Sequence, residues 1–84
     1  MLDDFYSDLK ELEEEVADHH DPRIRKNFTN AINVCVESLE YSLNMAGNMH
    51  LHDFLSFKEY NEFTTLLVKA HKAHLDFIAS KLPD

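Results

Sequence analysis

Residues 2–22, LDDFYSDLKELEEEVADHHDP, decide the fold, because they contain a complete helix pattern followed by a helix-start signal. Asp21 is a good N-cap and Pro22 suits a first helical position, so a second helix begins near residue 22. Before that point, apolar residues recur at spacings of 3, 4, 3 and 4, typical of a helix that buries one narrow stripe. They are Leu2, Phe5, Leu9, Leu12 and Val16. The stretch predicts a helix over residues 2–18 and a short connection to the next.

The rest of the chain offers few further breaks, since its 84 residues include one Gly and two Pro. Gly47-Asn48 predicts a helix C-terminus, because glycine adopts the left-handed conformation at little cost. Asp53, or Ser56 with Glu59 in a capping-box spacing, opens the next helix, and Pro83 ends it. We therefore expect helices near 2–18, 22–46 and 53–81. Short connections favour antiparallel neighbours, which predicts an all-α, single-domain, up-down-up three-helix bundle over residues 1–84, built on a long helical hairpin.

The second and third helices are apolar over more than one stripe, which is wider than the roughly 100° that a surface helix needs. A turn at residues 48–52 pairs Leu39 with Tyr60, Ile32 with Leu67, and Phe28 with His71. On the second helix, Val34, Tyr41 and Met45 fall off the packed face. On the third, the pattern places Leu66, Val68 and Leu75 away from the packed side, which is predicted to comprise Tyr60, Phe63, Leu67, Ala70, His74, Phe77 and Ile78.

The far end of the hairpin, here called the tip, is predicted to lack a third helix, because the first helix ends near the level of residue 38. The tip residues are apolar: Leu43, Met45, Leu51, Phe54, Leu55 and Phe57. Such a patch exceeds the few hundred Å² that monomers usually expose. We expect a second copy or a protein partner to cover it. The alternative is a bent third helix or a loop folded back over it.

The charge of −8 is concentrated at one end of the sequence. Residues 1–18 contain eight Asp or Glu and one Lys, a balance of −7, which leaves −1 for the other 66 residues. An acidic chain is a poor phosphate binder, so direct nucleic-acid binding is not expected. Glu11, Glu14, Glu15 and Asp18 instead predict a surface for a basic protein that this chain would inhibit or regulate. The alternative is a structural protein that forms homo-oligomers, with these carboxylates simply solvated.

The sequence contains no strong motif for catalysis or for metal binding. One glycine cannot form a phosphate-binding loop, and Cys35 lies on an apolar helix face where a thiol is inert, so we do not expect an enzyme or a cofactor. His20, His71 and His74 are the candidate metal ligands, but their spacing matches no zinc or di-iron motif, so no metal is expected. Arg23, Arg25 and Lys26 are predicted to screen the segment from Glu13 to Asp18.

Location is predicted only from segments that the sequence lacks. No run approaches the roughly 18 apolar residues of a membrane span, and the first 25 residues do not form a secretory signal. A lone cysteine also cannot form an internal disulfide. We therefore expect a cytoplasmic protein.

Overall fold

The computed structural model describes all 84 residues and contains three α-helices and no strands. Helix α1 spans Leu2–Ala17, α2 spans Pro22–Leu51 and α3 spans Phe57–Ser80. The all-helical prediction is confirmed. The molecule is a rod, with Cα extents of 49 × 18 × 15 Å.

The junction between α1 and α2 follows the predicted capping chemistry. Asp21 has extended backbone angles and its carboxylate accepts a hydrogen bond from the Arg23 backbone N–H at 2.9 Å. These interactions satisfy a backbone donor that the first helical turn cannot satisfy itself. His19 also joins the junction to the C-terminus, through a hydrogen bond between its Nε2 and the Pro83 carbonyl oxygen at 2.9 Å.

The predicted break at Gly47 is wrong, because α2 continues through this residue to Leu51. Gly47 has no positive φ, whereas Asp53 has a φ of 63°. The backbone N–H groups of Asp53 and Phe54 donate to the carbonyl oxygens of His50 and Met49, which is the Schellman pattern around a left-handed residue. An isolated helical glycine costs only about 1 kcal/mol relative to alanine. This small cost does not end α2 at Gly47, and the helix continues for about one more turn, to Leu51.

The start of α3 uses the Ser56–Glu59 capping box and not Asp53. The Ser56 hydroxyl accepts from the Glu59 backbone N–H at 3.1 Å, and the Glu59 carboxylate accepts from the Ser56 backbone N–H at 3.0 Å. The capping-box prediction is confirmed, but α3 begins at Phe57, four residues later than predicted.

The later turn shifts the contacts between α2 and α3 by about three helical turns. Tyr60, predicted to lie opposite Leu39, stacks on His50 with ring centroids 4.9 Å apart. His71, predicted near Phe28, bonds instead to Ser38, with 3.0 Å between its Nε2 and the serine Oγ. The predicted register is therefore wrong by about twice the distance that the turn moved, because each residue added to α2 before the turn displaces the pairing on both helices.

The core confirms the predicted α1 stripe but not the predicted α3 face. Phe5, Leu9, Leu12 and Val16 are buried, while Leu2 stays partly exposed at the N-terminus. On α3, Val68 and Leu75 are buried although they were predicted to face away, and Ala70, His74 and Phe77 are exposed although they were predicted to pack. Because α3 is apolar on several sides, periodicity alone could not select the buried one. The full core is Phe5, Leu9, Leu12, Val16, Ile32, Cys35, Leu39, Val68, Leu75 and Ile78.

Candidate functional site

The acidic face of α1, defined as Glu11, Glu14, Glu15 and Asp18, is exposed along its whole length. Members of this face are spaced three or four residues apart, so their carboxylates are neighbours on the helix surface and repel one another. The last turn of α1 contains no basic residue. Negative charge near a helix C-terminus is also unfavourable. The placement of these carboxylates is therefore not explained by the stability of α1.

Glu11 and Glu15 border a groove of about 230 Å³ between α1 and α3. The groove combines carboxylates at its edges with apolar side chains; its lining is Asp8, Glu11, Leu12, Glu15, Leu75, Asp76 and Ala79. Such a lining suits an Arg or Lys side chain, whose apolar stem and charged head need different surroundings.

One ion pair links α1 to the rest of the molecule. Lys72 Nζ lies 2.9 Å from the Asp8 carboxylate and 3.1 Å from that of Asp76. Hydrogen bonds to Asp8 and then to Asp76 raise the pKa of Lys72. The other seven carboxylates between residues 3 and 18 form no ion pair. The negative charge of α1 thus remains almost entirely uncompensated within the chain.

The basic cluster Arg23, Arg25 and Lys26, which is predicted to screen the segment from Glu13 to Asp18, forms no ion pair with it. Arg23 lies 3.5 Å from Asp21, its own N-cap. Arg25 donates to the carbonyl oxygen of His19. Both arginines thus take part in the α1–α2 junction, where backbone and capping groups compete for them.

The tip is only partly covered. Leu51, Phe54 and Phe57 keep 74%, 75% and 70% of their surface exposed, and Met45 is also exposed. Leu43 and Leu55 are half-buried, and Leu43 packs against the core. Met1 and Leu2 line a small cavity with Leu43, so α1 reaches further along the hairpin than the level of residue 38 that the sequence predicted. Neither a bend of α3 nor a folded-back loop buries the two phenylalanines.

The candidate metal ligands are not brought together. His71 uses both ring nitrogens, one with the Leu67 carbonyl oxygen at 2.7 Å and the other with Ser38. His20 stacks on His19 at the junction, and His74 is exposed on α3. No group of three or more His, Cys, Asp or Glu residues has a geometry that could hold a metal ion.

Cys35 has the surroundings of a core residue. Its side chain is fully buried, and its Sγ donates a weak hydrogen bond to the His71 carbonyl oxygen at 3.5 Å. Burial raises the pKa of the Cys35 thiol. Because the thiolate is the reactive form, these surroundings disfavour nucleophilic chemistry at this residue.

The sequence interpretation did not single out a further exposed surface on the hairpin, here called the open face. It consists of Val34, Tyr41 and Met45 on α2 with Leu66, Ala70 and Phe77 on α3, all exposed. The spacing of apolar residues places Val34, Tyr41, Met45 and Leu66 off the packed faces. This was the sequence pattern from which the open face could have been predicted. Phe77 could not be found this way, because the spacing placed it on the packed side of α3.

Comparison with known protein families, curated proteins and solved structures finds no match to this chain. None of the three helices combines the length and apolar character needed to cross a membrane.

Proposed function

We propose that this chain is a small helical interaction module that binds a basic protein through the acidic face of α1 and thereby inhibits or regulates it. The observation that carries the proposal is that seven of the eight carboxylates between residues 3 and 18 have no ion-pair partner. Uncompensated charge of one sign on one side of a molecule accelerates association with a partner of opposite charge. Binding, and not catalysis, is the role we assign to this surface.

The groove beside the acidic face supports a specific mode of contact. Leu12 and Leu75 offer an apolar surface to the methylene stem of an arginine, and Glu11 and Glu15 offer acceptors to its guanidinium. Arginine pairs with carboxylates through two parallel hydrogen bonds, which fixes orientation as well as charge. We therefore place an arginine of the partner in this groove, with Glu14 and Asp18 contacting further basic residues.

We also propose that the three helices follow the up-down-up path. The supporting contacts between α2 and α3 are the His50–Tyr60 and Ser38–His71 pairs, whose sequence separation increases away from the loop. This path places the acidic face on one side of the hairpin, where no other helix covers it.

Charge reversal tests the proposed binding. Replacing Glu11, Glu14, Glu15 and Asp18 by Lys changes the charge by +8 and leaves the buried stripe of α1 intact. The wild type and this variant are used to capture proteins from the same cell lysate, and each basic protein recovered is purified and titrated against both by calorimetry. We expect at least one basic protein to bind the wild type and to lose measurable affinity for the variant.

The matched control reverses four other exposed carboxylates, Glu37, Glu40, Glu62 and Asp84, which gives the same net charge. This control should retain binding, because its substitutions leave α1 unchanged. Circular dichroism checks that both variants stay helical. The proposal is wrong if no basic protein binds the wild type, or if the two variants lose affinity equally.

Assembly is a second candidate function, favoured by the exposed apolar side chains of the tip. Leu51, Phe54 and Phe57 lie in or next to the loop between α2 and α3, and the chain itself does not bury them. In this function the chain forms homo-oligomers and the acidic face is the solvated outside.

A further inference from the structure

The open face is apolar and no helix covers it; Lys81 borders it, with its Nζ 5.3 Å from the centre of the Phe77 ring. Val34, Tyr41, Leu66 and Phe77 expose between 62% and 69% of their surface, far more than core residues do. The polar groups between its two stripes are satisfied within the chain, since Ser38 and His71 bond to each other across the hairpin. None of the six residues of the face is charged. A surface of this kind has little to offer a charged ligand.

This face lies on the side of the hairpin away from α1. On α3, the residues facing α1 include Lys72, which pairs with Asp8, and Leu75, which lines the groove with Glu11 and Glu15. With 3.6 residues per turn, Ala70 and Phe77 lie well over a quarter turn around the helix from those positions. The α2–α3 hairpin therefore has one side covered by α1 and one side covered by nothing.

We propose that a second copy of this chain covers the open face, in a two-fold symmetric dimer whose centre is a bundle of the two α2–α3 hairpins. This dimer does not depend on the acidic face of α1, and its contact surface shares only Met45 with the tip. An isologous contact needs a surface that is complementary to itself. A face whose own residues are uncharged meets that condition, because none of its members repels its symmetry mate, and the ammonium of Lys81 at its border already lies over the Phe77 ring.

The charge distribution favours this face over every face that includes α1. Residues 3–18 carry −7 of the total of −8, so two chains meeting through α1 would repel each other strongly. Pairing through the open face leaves both α1 helices on the outside. With packed helix layers about 9 Å apart, the two α1 helices are separated by about 27 Å. That distance exceeds three Debye lengths of about 8 Å at physiological ionic strength.

The available area fits a dimer contact. A buried Phe or Tyr contributes about 150–250 Å², so the five large apolar side chains of the face expose on the order of 500 Å² per chain. A standard interface buries about 800 Å² per partner, which neighbouring side chains along the 49 Å rod can supply. At one end of the face, Phe77 borders an apolar cavity of about 220 Å³ with Phe28 and Ala31, which offers a socket for an apolar side chain of the second copy.

Sedimentation equilibrium over a broad concentration series tests the dimer. The wild type should sediment as a dimer, and Val34→Glu with Leu66→Glu should raise its dissociation constant by about 100-fold or more, because each change buries an uncompensated carboxylate in the interface. Both residues are exposed in the single chain, so the helices should persist by circular dichroism. The matched control, Leu51→Glu with Phe54→Glu, adds the same charge at the tip and should leave the dimer intact.

Three results would overturn the proposal. One is a wild type that stays monomeric at every concentration. Another is dissociation by the tip variant alone, which would move the interface to the tip. The third is equal dissociation by both variants, since added charge and not its location would then be responsible. The charge-reversed α1 variant is expected to remain dimeric, so the dimer and the binding of a basic partner can fail independently.

Discussion

At the scale of single residues, short-range hydrogen-bonding signals were read correctly from the sequence. Asp21 before Pro22 and Ser56 three residues before Glu59 both form the caps that their spacing predicts. These signals are local, because the donor and acceptor lie within three residues of each other. Hydrogen bonds from the Ser56 backbone and then from its side chain lower the pKa of Glu59.

Glu59→Gln should remove a pH-dependent contribution to stability. Because the folded-state pKa of Glu59 lies below its ordinary value of 4.5, its ionised form stabilises the fold above that pH, and this contribution is lost as the pH falls through the lowered pKa. The wild type should therefore melt at a higher temperature than the variant at neutral pH, with the difference shrinking as the pH is lowered through the depressed pKa of Glu59. Thermal denaturation followed by circular dichroism at several pH values measures it.

Glu62→Gln is the matched control for this measurement. Glu62 is exposed on the same helix and forms neither an ion pair nor a side-chain hydrogen bond. Its replacement should leave the pH dependence of the melting temperature unchanged. If the difference in melting temperature between the wild type and Glu59→Gln stays constant from neutral to acid pH, the charge of Glu59 does not contribute to the stability of the capping box.

At the scale of elements, the competition between two signals for the hairpin turn could not be resolved from the sequence. Gly47 and the Ser56–Glu59 box each indicate a helix boundary. Only the boundary at the capping box is present, because α2 continues through Gly47. The turn at Asp53 required a left-handed aspartate, which is uncommon but tolerated. This one displacement moved the register, whereas the broad apolar surface of α3 caused the wrong assignment of Val68, Leu75 and Phe77. The number of helices was predicted correctly despite this error, whereas the residue pairings between α2 and α3 were not.

Gly47→Ala should stabilise the protein by about 0.5–1 kcal/mol, because Gly47 lies inside α2 with helical backbone angles and alanine reduces the entropy of the unfolded chain. A Cβ at this position has no atom within 4 Å, so no clash opposes the gain. Urea denaturation gives the free energy of unfolding of both proteins. Glu40→Gly, at an exposed position within the same helix, should destabilise by a similar amount. Destabilisation by Gly47→Ala would mean that the helix breaks at Gly47 after all.

At the scale of the whole molecule, charge and apolar surface are separated across the hairpin. The acidic face occupies the α1 side, and the open face occupies the other. The net charge and its concentration in residues 3–18 could be read from the sequence. The absence of compensating ion pairs could not, because it depends on Arg23 and Arg25 being used at the α1–α2 junction. The exposure of Phe77 on the open face likewise could not, because it depends on which side of α3 packs in the core.

Added salt should slow the association with a basic protein partner but should not weaken dimerisation through the open face. Raising the ionic strength from about 0.05 to 0.5 M shortens the Debye length from roughly 14 Å to 4 Å, which weakens electrostatic steering. The association rate of the wild type with a basic protein partner should fall by an order of magnitude or more, as measured by stopped-flow fluorescence. Dimerisation through the open face should be unchanged or strengthened, because salt screens the repulsion between two chains of charge −8 and leaves apolar contacts in place. Dissociation of the dimer on addition of salt would contradict an uncharged interface. An association rate with the partner that does not change with salt concentration would contradict recognition by the acidic face.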